Sequence, residues 1–254
     1  MAHDLADRSR AVILPQFRKP LDVANKAGAQ AFDPVTKADR AAERAIAKLI
    51  RERAPDHGLV GEEYGRERQE APYQWVVDPI DGTRSFITGS PLWGTLIGLL
   101  REGEPVLGLM DQPFTAERFW SDRTAAYLGV GTAKPRRIRT RACPRLSDSI
   151  LMTTSPDLFQ AGAETDGFLR VKKEARMTRY GGDCYSYCLL AAGFVDLIVE
   201  SGLKNYDIVA LIPIVERAGG RVTTWDGRPA TEGGRILASG DPALHDRALK
   251  LLNR

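Results

Sequence analysis

Cysteine is scarce in this chain, and so are long apolar runs and any large surplus of one charge. Only three cysteines occur in 254 residues, Cys143, Cys184 and Cys188, too few and wrongly spaced for a disulfide framework or a metal knuckle. Cys184 and Cys188 share one face if their segment is helical, and they read as packing residues rather than as a redox pair. No apolar stretch is long and uninterrupted enough to span a bilayer, and no secretory leader opens the sequence, so no membrane partner and a reducing cytoplasm are expected. The formal charge is +3. Its one dense basic run, Lys134-Pro135-Arg136-Arg137-Ile138-Arg139 with Arg141, is too narrow for a nucleic-acid footprint and reads as a solvated connector. No internal repeat or low-complexity tract is present.

What is present is an ordinary globular composition, 43% hydrophobic and 27% charged, in a chain able to bury one large core or two closely packed ones. Leu5, Val12, Ile13 and Phe17 are loosely helical in spacing over residues 3 to 19. A second helix enters at Asp39 and places Ala42, Ile46, Leu49 and Ile50 on its inner stripe. Strand-like segments follow over 74–78, 93–100, 106–111 and 117–120, with short connections that suit antiparallel pairing. Composition shifts toward Gly, Lys and Arg over 129–145, so a boundary is expected there, dividing the chain into 1–135 and 136–254. Beyond it, strands over 150–153, 176–180, 195–200, 221–224 and 236–238 alternate with helices over 161–170, 184–192 and 207–218 and a terminal helix, a layered α/β pattern.

The sharpest chemical signal is Trp75-Val76-Val77-Asp78-Pro79-Ile80-Asp81-Gly82-Thr83. An apolar strand ends in two aspartates, with Pro79 restraining the backbone so that both carboxylates can converge through a turn. Closely placed carboxylates repel, and a divalent cation is the simplest compensation, although Asp-Pro and Asp-Gly are also ordinary turn pairs. Gly82-Thr83 permits close backbone approach to an anion such as phosphate, and Thr83 adds a hydroxyl able to donate and accept. Glu62 and Glu63 form an acidic turn just upstream, either a solvated loop or a metal-bridging element, with Glu62 preferred as the bridge. Asp39 at a helix start is a cap, a proton acceptor, or both. Asp183, Glu200 and Asp207 lie at element ends in the second half, where crevices form in α/β structures and where caps also sit. Together these residues point to metal-assisted phosphoryl chemistry on a small phosphorylated metabolite.

Val35-Thr36-Lys37-Ala38-Asp39, Gly61-Glu62-Glu63, Asp78-Pro79-Ile80-Asp81-Gly82-Thr83, Tyr206-Asp207-Ile208 and Gly219-Gly220 occur in an order that resembles the inositol monophosphatase family across nearly the whole chain. The resemblance implies a layered α-β-α-β-α sandwich, with an antiparallel sheet in the first half and a mixed α/β second half. It also implies a homodimer and hydrolysis of a phosphate monoester by water, without a covalent enzyme intermediate. Two or three Mg²⁺ ions, replaceable by Mn²⁺, would be held by Glu62, Asp78, Asp81, Asp207 and the carbonyl of Ile80. Thr83 and Asp39 would activate water, Gly82 and Thr83 would cradle phosphate, and Lys26 would stand near the outer metal. Thr83-Arg84-Ser85-Phe86-Ile87-Thr88-Gly89, Pro91-Leu92-Trp93-Gly94, Asp111-Gln112-Pro113, Gly181-Gly182-Asp183-Cys184-Tyr185 and Gly202-Leu203-Lys204 resemble the histidinol-phosphate phosphatase branch more than the inositol branch. This implies Asp183, Glu200 and Arg84 as substrate contacts. An inositol-1-phosphatase or a broader sugar- or nucleotide-phosphate phosphatase is the alternative.

Overall fold

A computed structural model describes residues 1–20, 23–25 and 34–254. The first half contains α1 (Ala2–Ile13), a short ribbon of β1 (Val23–Asn25) with β2 (Pro34–Thr36), and α2 (Lys37–Arg53). It continues with β3 (Gly58–Gly61), β4 (Gly65–Glu67), β5 (Tyr73–Asp81), α3 (Thr83–Ile87), β6 (Gly94–Arg101), β7 (Glu104–Gln112), β8 (Glu117–Ser121), β9 (Ala126–Val130) and β10 (Arg136–Ile138). The second half runs through β11 (Ile150–Thr153), α4 (Ala163–Glu174), β12 (Met177–Tyr180), α5 (Asp183–Ala191), β13 (Leu197–Leu203), α6 (Asn205–Ile208) and α7 (Leu211–Arg217). It ends with β14 (Arg221–Thr224), β15 (Gly234–Ser239) and α8 (Pro242–Leu252).

Eight strands form one sheet in the order β10-β9-β8-β7-β6-β5-β3-β4, and five form a second in the order β12-β11-β13-β15-β14. The first is antiparallel except where β3 runs parallel to β5. The second is mixed, parallel through β12, β11 and β13 and antiparallel through β15 and β14.

Strand alternation sorts side chains into layers. Trp75, Val77, Ile97 and Leu109 pack against Leu5 and Ala6 of α1 and Ile46 and Ile50 of α2 on the outer face of the first sheet. The inner face presents Leu96, Met110 and Phe119 to Cys184 and Cys188 of α5 and to Ile214 and Val215 of α7, which also meet Ile198 and Ile236 of the second sheet. Leu151, Leu197 and Val199 face outward onto Phe168 of α4 and Leu244 and Ala248 of α8. The result is the expected α-β-α-β-α sandwich.

Several elements depart from the expected boundaries for local reasons. The first helix stops at Ile13 and gives way to a tight turn at Leu14–Gln16, where Pro15 lacks an amide proton. The helix expected over 207–218 is split into α6 and α7 around Val209-Ala210. Pro213 cannot donate to the carbonyl four residues earlier, which interrupts the ladder at that point. The basic stretch carries β10, whose Ile138 is buried while Arg136 and Arg137 stay exposed; the first sheet therefore reaches residue 138.

At Gly98 and Gly108 the first sheet offers bare backbone to the α6–α7 junction. A Cβ on Gly108 would fall 1.8 Å from the carbonyl oxygen of Ala210, and one on Gly98 would fall 2.7 Å from Val209.

Candidate active site

Both sheets break register where they deliver carboxylates. In the β5–β6 pair, Asp78 faces Leu96 but Asp81 faces Gly94, so one extra residue is accommodated between them. Pro79 cannot donate to the ladder, and its carbonyl instead accepts from the Thr95 hydroxyl at 2.8 Å. Such a bulge bends the strand and re-aims its side chains. Asp78 Oδ1 accepts from the Ile80 amide at 2.9 Å, and the Thr83 hydroxyl donates to the Ile80 carbonyl at 3.1 Å. Gly82 follows at φ 85°, and a Cβ there would lie 2.9 Å from the Leu92 carbonyl oxygen and 3.2 Å from Asp183. Only glycine permits that close approach without strain.

The same device recurs in the second sheet. Glu200 faces Ile236 but Leu203 faces Gly234, again one residue out of register. Ile198 points into the middle layer, and Glu200, two residues on, shares its face. Asp183 opens α5 at φ 43°, a left-handed conformation that aspartate tolerates better than most residues. Asp207, near the end of α6, accepts from the Lys204 amide at 2.6 Å.

These elements bring Asp78, Asp81 and Asp207 together, each offering a carboxylate oxygen within 4.8 Å of the others. Burial, then the charges of Glu62, Asp81 and Asp207, push the Asp78 carboxyl well above its ordinary range. Burial, then Asp183 and Asp207, do the same to Asp81, although a 2.6 Å bond from the Cys184 amide offsets part of the effect. Glu62 stands near Asp78 and adds to the crowding of negative charge there, a repulsion that a bound cation would relieve. An all-oxygen donor set with this electrostatic demand fits a hard divalent cation.

Asp39 is buried at the third position of α2, where its Oδ2 accepts from the amide of Thr36 at 2.8 Å and from the Thr36 hydroxyl at 2.6 Å. It is therefore part of a capping box. Burial outweighs those bonds and raises its carboxyl to about 6, with Glu62 and Glu63 adding to the shift. No hydrogen bond joins Asp39 directly to Thr83 among the described residues. Ala38 and Ala42 of α2 nonetheless share an apolar cluster with Ile80 and Phe86, which places the start of α2 beside the exit of β5. Glu63 lies near Arg40, 3.7 Å away. Lys26 falls outside the described residues.

Beside the acidic cluster opens a cavity of about 250 Å³ lined by Asp81, Gly82, Thr83, Arg84, Asp183, Glu200 and Asp207, together with Thr154, Leu158, Cys184, Tyr187, Leu203 and Leu211. Asp183 accepts from the Ser85 hydroxyl at 3.2 Å; burial raises its carboxyl to about 6 while Ser85 and Arg84 pull the other way. Glu200 accepts from the amide and hydroxyl of Thr154 at 2.8 and 3.0 Å, yet burial lifts it to about 8. Burial, then the fields of Glu200, Asp81 and Asp207, keep the proton on Tyr187.

Four contributors escaped sequence reasoning. Glu43, one turn after Asp39, is buried and accepts from the amides of Glu63 and Tyr64 at 2.8 and 3.0 Å, holding the acidic turn in place. In the sequence it is one charged residue of an amphipathic helix. Thr154 carries no motif, and Ser85 lies inside the Thr83–Gly89 resemblance without a role of its own assigned to it. Tyr187 reads as helix core, although its spacing of four from Asp183 was a usable signal that both occupy one face.

The inositol monophosphatase family profile matches residues 1–254. The chain is 44% identical to the chloroplastic bifunctional phosphatase IMPL2 of Arabidopsis thaliana, over 98% of this chain and 72% of that protein. It is 36% identical to a histidinol-phosphatase of Streptomyces coelicolor, over 100% and 96% of the two chains. A solved inositol monophosphatase from Zymomonas mobilis superposes with a TM-score of 0.88 at 42% identity, covering 100% of this chain and 96% of that one. With its acidic cluster set against a cavity of metabolite size, this chain belongs to the inositol monophosphatase family and is a phosphomonoesterase.

Proposed function

We propose that the enzyme hydrolyses L-histidinol phosphate to L-histidinol and phosphate, a step of histidine biosynthesis, as a Mg²⁺-dependent homodimer in the cytoplasm. The observation that carries the substrate reading is the placement of Asp183 beside Glu200 in the cavity wall. An ester with an ammonium group and an imidazole brings donors to those two carboxylates, whereas a plain polyol needs no second acid there. The histidinol-phosphatase relative supports the same reading.

In this reading Glu62, Asp78, Asp81, Asp207 and the Ile80 carbonyl hold two or three Mg²⁺ ions, with Mn²⁺ as a substitute. Bound there, the metal supplies positive charge for the phosphate oxygens and the departing alkoxide. The backbone at Gly82 and Thr83 orients the phosphate, and Arg84 at the cavity mouth adds charge to the substrate contact. Asp39, raised toward neutrality, accepts the proton of the attacking water, and the Thr83 hydroxyl orients that water. Glu43 fixes the turn that presents Glu62.

An inositol-1-phosphatase or a broader sugar- or nucleotide-phosphate phosphatase is the second reading. It draws on Glu200, which accepts from inositol hydroxyls as readily as from an ammonium, and on the Zymomonas likeness. Phosphate release from histidinol phosphate, inositol 1-phosphate and a sugar phosphate, each with and without Mg²⁺ in one buffer, separates the two. A preference for either of the latter esters would reject the histidinol reading.

A further inference from the structure

The cavity wall carries a hydroxyl that no group among the described residues satisfies. Tyr187 of α5 is 2% exposed and lines the cavity, and its phenolic oxygen has no hydrogen-bond partner among the described residues. Its ring belongs to the apolar cluster between the two sheets, in the company of Cys184, Leu190, Ile208 and Leu211. Phenylalanine would fill that space equally well, so packing accounts for the ring and not for the oxygen.

Apart from the Arg84 guanidinium, the polar side chains that line the cavity are otherwise carboxyls or hydroxyls already engaged. Asp183 and Glu200 present carboxylates, the Thr154 hydroxyl donates to Glu200, and the Thr83 hydroxyl donates to the Ile80 carbonyl. A cationic or hydroxyl donor on a ligand finds partners at once among the carboxylates. A nitrogen or oxygen acceptor finds only one uncommitted hydroxyl donor among the described residues of the wall, and that donor is Tyr187.

We propose that Tyr187 is a specificity residue, its hydroxyl donating a hydrogen bond to a nitrogen or oxygen acceptor on the organic group of the ester. This rests on the reading that the cavity holds the organic group of a phosphate monoester, and not on which ester that is. The enzyme then selects leaving groups that carry both donors, for the carboxylates, and an acceptor, for the phenol. Imidazole nitrogens and alcohol oxygens both qualify, whereas a bare hydrocarbon does not.

The test is Tyr187→Phe, assayed as the Mg²⁺-loaded enzyme on histidinol phosphate, inositol 1-phosphate and phenyl phosphate, whose organic group has no acceptor. Because the hydroxyl has no partner among the described residues, the thermal midpoint stays unchanged or rises. On the polar ester that the wild type prefers, kcat/KM falls by about tenfold, mainly through KM, as expected for the loss of one hydrogen bond in ground and transition state alike. Turnover of phenyl phosphate is unchanged. An equal loss on all three esters, or no loss on any, overturns the proposal. Which polar ester the wild type prefers decides the substrate reading separately.

Discussion

Asp81 Oδ2 accepts a 2.6 Å hydrogen bond from the backbone amide of Cys184, 103 residues further along the chain. A carboxylate at the exit of the first sheet is thus tied to the start of a helix from the second half. Asp81→Asn keeps an oxygen for that amide and removes the charge. The variant is expected to fold with an unchanged or higher thermal midpoint in the absence of metal, because repulsion with Asp78 and Asp207 is relieved. Its phosphate release is expected to fall by roughly two orders of magnitude on every ester, with a higher Mg²⁺ requirement. Full activity at limiting Mg²⁺ would contradict the ligand role.

Glu43 offers a separate test of the acidic turn. Glu43→Gln leaves one amide facing an NH₂ group, a mismatch that costs about 1–3 kcal/mol for an unsatisfied buried donor. Because the turn carries Glu62, the Mg²⁺ concentration for half-maximal activity should rise together with the loss of stability. A lower midpoint in thermal melts with an unchanged Mg²⁺ titration would assign Glu43 to folding alone.

For Asp183, substitution by Asn should reduce turnover of histidinol phosphate about tenfold more than turnover of a small generic phosphate ester, the scale of one charge-assisted hydrogen bond. Parallel losses on both would remove the specificity argument.

His245 supplies a pH-dependent stability term away from the site. Its ring nitrogens lie 2.9 Å from the hydroxyls of Thr223 and Ser239, and burial, then Arg221, hold it down at about 4 against an ordinary 6.5. Between those values the unfolded chain binds the additional proton. Stability from this group is therefore complete above pH 6.5 and lost as pH falls toward 4, by about 3 kcal/mol in all. Urea unfolding at pH 7 and pH 4.5 should show the advantage of wild type over His245→Gln shrinking at the lower pH; a constant difference would refute the assignment.

What could be read from the sequence followed from proximity along the chain. Asp78 and Asp81 announced themselves because Pro79, Gly82 and Thr83 are their neighbours, and the layered order of helices and strands followed from apolar period. The bulges after Asp78 and Glu200 were not visible, since register depends on the partner strand. Asp207 was legible as a crevice residue from its place at an element end, but a cap explained it equally well and the resemblance was needed to choose. Strand β10 was hidden by exposed Arg136 and Arg137, which its edge position permits. The backbone partners of Glu43 and the unpartnered hydroxyl of Tyr187 among the described residues show only in three dimensions.

The bare backbone at Gly98 and Gly108 sets the depth at which the α6–α7 junction seats, and Asp207 rides on that junction two and three residues from Val209 and Ala210. The width of the gap between the carboxylates is consequently gauged by two hydrogen atoms on the inner face of the strand pair. A methyl group at either glycine acts as a shim, prying one carboxylate off the other two without touching any of them.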